Sequence, residues 1–489
     1  MRLFLIGWAE SYPELVDTAE DLEKNGHNIV YWARNEEPIS VDQSRFPNTA
    51  FHSYHEARNS IPTKRIPCDK FSYPSSLLLK GLASEELLVL TMMNKIYPGV
   101  SVSERGQLFI QFVRYWLGVI RQFNPDFIFF NTTPHAPLYF TLYILAKHLK
   151  IKTAMFDLAW VSDRILWMED FREGSATLRG NYLRLSSTNP KIEGLSLDIR
   201  THYERHVNPA VDTTPSYLTE GLATHRLTKK IMKKIGNFFS SVLSPNIFSK
   251  KAYRFYINFP NIMRRASYYF RFNLPRAYQS LSLECVPSMN RKFIYVALHL
   301  QPECTTNPVG EVFQDQVFLI QTLSDALPSD WVIYVKEHPF QWPYYGIGFS
   351  EDRYRSYYER IAKIPKVSLI PIKTRSLDLI SKAQAVATVS GTVGWEAVLR
   401  GKPALVFGNA WYQYAPGVMR VRNVDDCRKA LNLIQNNFSV SGKDKIAFLL
   451  ALDQSSIHGY IDEWTKKVSA ISPEENSQNF LKAFRLIFR

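Results

Sequence analysis

Strand patterns and helix patterns alternate between residues 293 and 407. The predicted strands are Phe293–Leu298, Trp331–Lys336, Val367–Ile370, Ala385–Val389 and Ala404–Phe407. The predicted helices between them are Glu311–Leu327, Arg353–Ala362, Ser376–Lys382 and Val393–Arg400. Strands separated by helices in this way are typical of a doubly wound parallel sheet. This alternation predicts an α/β domain of the Rossmann-like type.

The N-terminal part shows the same alternation less regularly. A strand at Leu3–Gly7, a helix at Tyr12–Asn25 and a strand at His27–Ala33 form a βαβ unit, which requires parallel strands. Residues 35–98 show an irregular pattern. The later elements are predicted at Ser101–Arg121 (helix), Asp126–Phe130 (strand), Pro137–Leu149 (helix) and Lys152–Phe156 (strand). We therefore predict a second Rossmann-like domain, although the loop after its first strand lacks the three-glycine dinucleotide fingerprint.

Composition indicates a cytoplasmic globular protein. Of 489 residues, 46% are hydrophobic and 21% are charged, which is ordinary for a globular chain. The four cysteines lie far apart without Cys-x-x-Cys spacing, which argues against a zinc site or a disulfide framework. The apolar run at the N-terminus is too short for a signal peptide, and no apolar stretch is long enough to span a bilayer. We expect no metal and no other cofactor.

The formal net charge of +14 is concentrated in one window. No acidic residue occurs between Glu220 and Glu284, whereas residues 226–276 carry twelve lysines and arginines interleaved with phenylalanine and tyrosine. Basic and aromatic residues in this mixture suit contact with an anionic membrane surface. Single-stranded nucleic acid would use the same residue types, and a solvated linker whose helices pack on the sheet would also explain them. We favour the membrane surface, and we consider nucleic acid an unlikely partner.

A polar turn joins the strand Ala385–Val389 to the helix that follows it. Ser390, Gly391 and Thr392 form this turn. The first backbone N–H groups of a helix have no partner within the helix, and the helix dipole favours an anion beside them. The turn therefore predicts a phosphate-binding site, although serine and threonine are also common helix caps.

Polar clusters follow two further strands, at His299–Asn307 and Lys336–Pro339. Because the carboxyl ends of parallel strands lie along one edge of the sheet, we expect the three clusters to meet in one crevice. In the N-terminal part, the loop Asn131–His135 and Asp157 also follow predicted strands, and Glu10 lies in the first strand-to-helix loop.

Three motifs together resemble a known protein family. They are His-Leu-Gln-Pro-Glu from His299, Tyr-Val-Lys-Glu-His-Pro from Tyr334, and Val-Ser-Gly-Thr-Val-Gly-Trp-Glu-Ala-Val-Leu-Arg-Gly-Lys-Pro from Val389. Residues 290–410 are similar to the bacterial capsule polysaccharide biosynthesis proteins, which include the retaining Kdo transferases. The resemblance implies a GT-B glycosyltransferase, in which two Rossmann-like domains face a cleft. The C-terminal domain would hold the donor nucleotide, and the N-terminal domain would hold the acceptor.

The resemblance also suggests roles for individual side chains. The nucleotide and its phosphate would be bound by Gln301, Lys336, His338, Pro339, Ser390, Gly391 and Thr392, with Glu396 on a ribose hydroxyl. The acceptor side would include Glu10, Asn131, His135 and Asp157. Sugar transfer needs a carboxylate or imidazole near the anomeric carbon as nucleophile or base. Glu303 is the first candidate for this catalytic group, and His299 is the alternative.

These features predict a glycosyltransferase of surface-polysaccharide synthesis. Its donor would be a nucleotide sugar, suggested to be CMP-linked with Kdo or a related acidic sugar, and its acceptor a polysaccharide or glycolipid. The predicted parts are an acceptor domain (1–222), a basic connecting segment (223–288), a nucleotide-sugar domain (289–470) and a C-terminal helix crossing back (471–489). A location on the inner face of the bacterial inner membrane would fit the basic segment. The alternatives are a polyol-phosphate transferase using CDP-glycerol and a non-catalytic membrane- or nucleic-acid-binding protein.

Overall fold

A computed structural model describes most of the chain. The described residues are 1–8, 13–33, 43–53, 56, 63, 66, 70–97, 100–213, 274–283, 287–342, 352–436, 438–461 and 463–487. Glu10 and almost all of the basic window 226–276 lie outside these ranges, so the predictions made for them are not examined by the structure.

The first sheet is built from the N-terminal part of the chain. Its strands are β1 (Arg2–Ile6), β2 (Asn28–Ala33), β3 (Ala50–His52), β4 (Phe127–Phe130), β5 (Lys152–Leu158) and β6 (Arg164–Met168). They lie in the order β6-β5-β4-β1-β2-β3. All neighbours pair in parallel except β5 and β6, which form an antiparallel hairpin. The predicted parallel sheet is confirmed, and the hairpin is an addition that its sequence pattern did not indicate.

Helices cover both faces of this sheet. The helices of this part of the chain are α1 (Pro13–Lys24), α2 (Ser76–Gly81), α3 (Ala83–Ile96), α4 (Val102–Phe123), α5 (Pro137–His148), α6 (Ala176–Ser186), α7 (Leu197–Val207) and α8 (Leu274–Leu283). Of these, α6 and α7 pack in a cluster with Trp395 and Phe448 of the second half, and α8 packs on the second sheet. Helix α4 begins at a capping box in which the Ser101 and Glu104 side chains each bind the other's backbone amide. The prediction that residues 35–98 are irregular is wrong for α2, α3 and β3. Their patterns are short or weakly amphipathic, so tertiary packing decides their structure.

The second sheet contains parallel strands only. They are β7 (Phe293–Ala297), β8 (Val332–Lys336), β9 (Val367–Leu369), β10 (Ala385–Thr388), β11 (Ala404–Val406) and β12 (Val418–Arg420). Their order is β12-β11-β10-β7-β8-β9. Alternate residues of β7 enter separate apolar clusters on the two faces, with Ile294 and Val296 on one and Phe293 and Tyr295 on the other. The predicted doubly wound, Rossmann-like architecture is confirmed.

The helices of the second half are α9 (Gln316–Ala326), α10 (Tyr357–Ala362), α11 (Ser376–Lys382), α12 (Thr392–Leu399), α13 (Val424–Gln435), α14 (Gly442–Ser455), α15 (Glu463–Val468) and α16 (Pro473–Ile487). The helix predicted from Glu311 begins later, at Gln316. The Asp315 carboxylate accepts a hydrogen bond from the Val317 amide and caps the helix there.

The C-terminal residues return to the first sheet. Strand β13 (Ile457–His458) pairs with β6 in antiparallel orientation, before the boundary predicted at residue 470. Phe480 and Phe484 of α16 lie in one apolar cluster with Phe129 and Phe156 of that sheet. The C-terminal helix therefore packs against the N-terminal part of the chain.

The two halves are in direct contact beside the loop that follows β7. Val309 is buried in an apolar cluster of the first half, and the Asn307 side chain donates a hydrogen bond of 3.1 Å to the Leu88 carbonyl. Arg172 forms ion pairs with Glu311 at 2.8 Å and with Glu85 at 3.5 Å. The carboxyl edges of the two sheets therefore meet at a shared cleft. No described helix is long and apolar enough to cross a bilayer.

Candidate active site

The three polar loops of the second sheet meet at its carboxyl edge, because β10, β7 and β8 are neighbours. The His299 imidazole is 2.9 Å from the Thr388 hydroxyl, and the Gln301 amide donates to the Gln341 side chain at 2.9 Å. These two contacts join loops whose bonded residues are 89 and 40 positions apart in the sequence.

His299 occupies part of the predicted phosphate site. Its Nε2 accepts hydrogen bonds from the backbone amides of Val389 (3.1 Å) and Ser390 (3.3 Å), so this nitrogen is an acceptor and Nδ1 carries the proton. Burial, followed by the nearby charges of His338 and Arg353, lowers the pKa of His299 to about 3. The ring is therefore neutral, and its accepting nitrogen is already in use. This arrangement fits a positioning group better than the catalytic base that was the alternative prediction.

The anion site predicted at Ser390–Thr392 is correspondingly smaller than expected. The Gly391 amide donates to the Thr388 hydroxyl at 3.1 Å, and the Ser390 hydroxyl donates to the Thr305 carbonyl at 2.6 Å. Thr392 and Val393 begin α12, and the hydrogen bonds of the described residues leave their amides available. The sequence located the helix start correctly. It did not reveal that the amides of Ser390 and Gly391 are already bonded to the side chains of His299 and Thr388.

Replacing Gly391 with alanine is expected to displace the His299 ring. A methyl group there would lie 2.9 Å from the ring Cε1 and 3.0 Å from the Thr388 hydroxyl. Overpacking of this kind costs about 1–3 kcal/mol, so the free energy of unfolding in urea should fall by that amount. Gly180→Ala is the control, because a methyl group there meets nothing within 4 Å and alanine favours a helix by about 1 kcal/mol. Unchanged stability of Gly391→Ala would contradict the packing described here.

A buried ion pair holds the His299 and Lys336 loops together. Arg353 lies 2.8 Å from the Glu337 carboxylate, and the two side chains are 1% and 0% exposed. Arg353 also donates to the His299 carbonyl at 2.9 Å and to the Gln301 side chain. Tyr358 donates to Glu337 at 2.5 Å. The sequence analysis missed this network, since nothing in the spacing of Arg353 indicates its partner.

Gln301, predicted to bind nucleotide, is committed to the same network. Its side chain donates to the Gln314 carbonyl at 2.9 Å and accepts from Gln316 at 2.7 Å, besides the contact with Arg353. The Gln301 side chain is 4% exposed. It therefore shapes the loop that carries Glu303.

Lys336 and His338 differ in their availability to a ligand. The Lys336 ammonium donates to the Thr374 carbonyl (2.8 Å) and the Ser376 hydroxyl (2.6 Å), and burial lowers its pKa to about 8. The Nδ1 of His338 accepts from the Phe340 amide at 3.2 Å, which leaves Nε2 as the protonated nitrogen. Burial lowers the pKa of His338 to about 4, so the ring is neutral. The partly buried His338, followed by Pro339, keeps its Nε2 donor available, whereas two of the three Lys336 donors are used within the loops.

Glu396, predicted at a ribose hydroxyl, lies on α12 and accepts a hydrogen bond from the Thr213 hydroxyl. Arg400, one turn later, donates to Glu396 at 3.4 Å and to the Val211 carbonyl at 3.0 Å. The end of the first domain thus contacts the helix that begins at the predicted phosphate site.

Glu303 faces the first domain across the cleft. Its carboxylate is 3.5 Å from the Lys95 ammonium at the end of α3, and its side chain is 32% exposed. The neighbouring Cys304 thiol lies 3.9 Å from the Thr133 carbonyl. Burial is the main cause that raises the pKa of Cys304, and the charge of Asp157 contributes. The structure thereby brings the predicted catalytic carboxylate to the predicted acceptor residues. Lys95 was not singled out from the sequence, where it is one lysine among many.

Two of the predicted acceptor-side residues, Asn131 and His135, line a cavity of about 370 Å³ at the carboxyl ends of β1 and β4, whereas Asp157 is not part of its wall. Asn131, His135, Lys95 and Gly7 contribute to its wall. The Oδ1 atom of Asn131 is buried and has no hydrogen-bond partner among the described residues, which is costly unless a ligand or water supplies one. Desolvation lowers the pKa of His135, although part of its side chain reaches solvent.

A larger concavity, about 660 Å³, lies between α9, α10 and α13. It contains none of the predicted site residues, so its size does not identify it as the active site. The described residues contain no group of three or more His, Cys, Asp or Glu side chains placed to hold one metal ion.

Known proteins resemble parts of this chain. Residues 289–441, just under a third of the sequence, match the family model described as "Capsule polysaccharide biosynthesis protein". A search among curated proteins found no significant match.

Solved structures give weak matches at low identity. KpsC of Thermosulfurimonas dismutans, a β-Kdo 2,7-transferase, matches at 12% identity and TM-score 0.29, over 80% of this chain and 95% of that chain. The UDP-GlcNAc 2-epimerase of Methanocaldococcus jannaschii matches at 12% identity and TM-score 0.24, over 100% of this chain and 99% of that chain. A glycosyltransferase of Rickettsia africae matches at 11% identity and TM-score 0.27, over 100% of this chain and 97% of that chain. TM-scores this low do not establish a common fold, so the fold assignment rests on the strand orders above. Residues 289–441 thus match the model of the capsule polysaccharide biosynthesis family, the family that their motifs resemble.

Proposed function

We propose that the protein is a GT-B glycosyltransferase that acts without a metal ion in the synthesis of a capsule or other surface glycan. It would transfer a sugar from a nucleotide-activated donor to a polysaccharide or glycolipid. The observation that carries this proposal is the position of Glu303. This carboxylate comes from the nucleotide-side domain and lies 3.5 Å from Lys95, which lines the cavity of the other domain.

The donor would bind at the edge of the second sheet. The amides of Thr392 and Val393 and the dipole of α12 would stabilise the departing phosphate, since they supply positive potential without moving. The protonated Nε2 of His338 would donate to the same phosphate or to the ribose. Glu396 would contact the ribose after separating from Thr213. Lys336, Gln301 and His299 would hold the loops in place and would not contact the donor through their side chains.

The acceptor would bind in the cavity of the first domain. The Oδ1 of Asn131 would accept a hydrogen bond from a sugar hydroxyl and so satisfy its missing partner. Glu303 would lie at the anomeric carbon, as nucleophile or as base. The Lys95 ammonium, 3.5 Å from the carboxylate, would hold Glu303 in position by their ion pair.

Asp157, on the acceptor side, predicts a pH-dependent stability. Burial raises its pKa to about 7, against about 3.9 for an unfolded chain. Between these values the folded state binds a proton that the unfolded state has lost, so the free energy of unfolding falls as the pH rises. Asp157→Asn should therefore become more stable relative to wild type from about pH 4 to about pH 7. Urea denaturation across this range tests the prediction, and exposed Asp325→Asn is the control. Parallel curves for wild type and Asp157→Asn would refute it.

The decisive experiment is a binding scan of the purified protein with CMP-, UDP-, GDP- and TDP-sugars, with and without vesicles that contain phosphatidylglycerol. We expect one nucleotide class to bind and its sugar to be released slowly as donor hydrolysis. We also expect cosedimentation with the anionic vesicles, since the twelve basic residues of the window 226–276 favour an anionic surface. Turnover of CDP-glycerol alone would indicate the polyol-phosphate transferase, and the absence of any nucleotide binding would overturn the proposal.

A further inference from the structure

An exposed tryptophan lies at the tip of the β5–β6 hairpin. Trp160 is 55% exposed. The other tryptophans whose side chains the structure describes are buried or partly buried. Its neighbours Ala159 and Val161 are completely buried. The hairpin is closed by a hydrogen bond of 3.0 Å from the Ala159 amide to the Arg164 carbonyl. The tryptophan is therefore presented to solvent by a rigidly packed turn.

The backbone of Trp160 is in an unfavourable conformation. Its φ of 51° lies in the left-handed region, which costs roughly 1–2 kcal/mol for a residue with a Cβ atom. Glycine or asparagine would be expected at such a position if only the turn mattered. An exposed indole and a left-handed backbone both oppose stability, and local strain of this kind is concentrated at functional sites. The position therefore calls for a functional explanation.

The hairpin extends past the carboxyl edge of the first sheet. Phe130, the last residue of β4, pairs with Met155, so β5 continues three residues farther to Leu158. At the rise of a strand this is about 10 Å beyond the edge at which the acceptor cavity opens. Trp160 lies two residues after the end of β5 and three residues after Asp157.

The other half of the molecule reaches the same hairpin. Ala159 and Val161 are buried in one apolar cluster with Trp395 and Tyr412. Trp395 lies on α12, three residues after Thr392. Trp160 thus lies beyond the carboxyl edge of the first sheet, between two residues that pack in a cluster with a residue of α12.

From this position we infer that Trp160 is a stacking platform for a sugar ring of the acceptor glycan. The face of an indole carries negative charge density, which attracts the positively polarised C–H groups on the apolar face of a pyranose ring. The cavity beside Asn131 would hold the acceptor's terminal sugar, and Trp160 would hold a ring next to it. This inference rests on the proposed function and adds a specificity-determining residue that acts on the acceptor alone.

The test compares Trp160→Gly and Trp160→Phe with wild type. The probe is an array of bacterial surface oligosaccharides that includes Kdo-containing chains and neutral hexose chains. We expect Trp160→Gly to lose about tenfold or more in glycan affinity, the loss typical of a central aromatic anchor. Trp160→Phe should retain part of the binding because its ring is flat. Leu433→Ala is the control, since Leu433 is similarly exposed, at 53%, but lies on α13.

Two further readouts separate this inference from a structural role and from the proposed function. The melting temperature of Trp160→Gly should be unchanged or raised, because glycine relieves the left-handed strain. Nucleotide binding should be the same in all variants, so its absence would refute the proposed function and not this inference. The inference is overturned if wild type binds no glycan on the array, or if Trp160→Gly binds as tightly as wild type.

Discussion

Glu303→Gln is expected to lower sugar transfer by about 100- to 10,000-fold, the range that a positioned acid, base or nucleophile contributes. The amide keeps the size of the side chain but cannot attack an anomeric carbon or accept a proton. The change should not affect nucleotide affinity, because the predicted phosphate contacts come from α12 and His338. Transfer rates measured at saturating donor, with nucleotide affinity measured by titration calorimetry, test both statements.

The control for this variant is Glu193→Gln. Glu193 is an exposed carboxylate in the turn Ile192–Gly194, which lies before α7, and its replacement should leave transfer unchanged. Stability should also change little in Glu303→Gln, since its ion pair with Lys95 is partly exposed and such pairs contribute at most about 1 kcal/mol. A Glu303→Gln protein that transfers sugar at the wild-type rate would remove Glu303 from the catalytic role.

Arg353→Met is expected to lower the free energy of unfolding by about 3–5 kcal/mol, the cost of leaving one member of a buried ion pair without its partner. The Glu337 carboxylate would remain completely buried, and among the described residues it would keep the hydroxyl of Tyr358 and the backbone amide of His338 as donors. The carbonyl of His299 and the side chain of Gln301 would each lose a donor. Urea denaturation followed by circular dichroism measures the effect.

A matched control exists on the surface. The pair Arg428–Asp425 has the same N–O distance, 2.8 Å, but its side chains are 55% and 76% exposed. Arg428→Met should therefore cost less than about 1 kcal/mol, because solvent screens an exposed pair. Equal losses in Arg353→Met and Arg428→Met would show that burial does not strengthen the Arg353–Glu337 pair. The double variant Glu337→Gln/Arg353→Met should be less destabilised than the sum of its single changes, since it leaves no unpaired charge.

The elements of both sheets could be predicted from the sequence to within a few residues at most positions. Strands such as Phe127–Phe130 are continuously apolar, and helix α4 has clear capping residues, so their patterns are local and strong. The predictions failed where the pattern was weak. Helix α3 was missed, and Lys95 at its end was missed with it, although it proved to be the residue that meets Glu303.

The candidate site was only partly predictable for a related reason. Residues at the carboxyl ends of β7, β8 and β10 were expected to meet, and they do. Their hydrogen-bond partners were not foreseeable, because partners such as Arg353 and Glu337 are chosen by packing between loops. The sequence did not reveal that the His299 ring accepts hydrogen bonds from two backbone amides, or that two of the Lys336 donors are used within the loops.

The sequence by itself determined the α/β class, the parallel strands of the two sheets, the loops that carry polar residues and the family resemblance of residues 289–441. Periodicity and turn chemistry encode these features over a few neighbouring residues, which is why they can be recognised without a structure. The tertiary structure alone decided which polar groups are used internally and which remain available. It placed Glu303 opposite Lys95, paired β13 with β6 and left Trp160 exposed beyond the carboxyl edge of the first sheet. These outcomes depend on strand order and long-range packing, which no local pattern specifies.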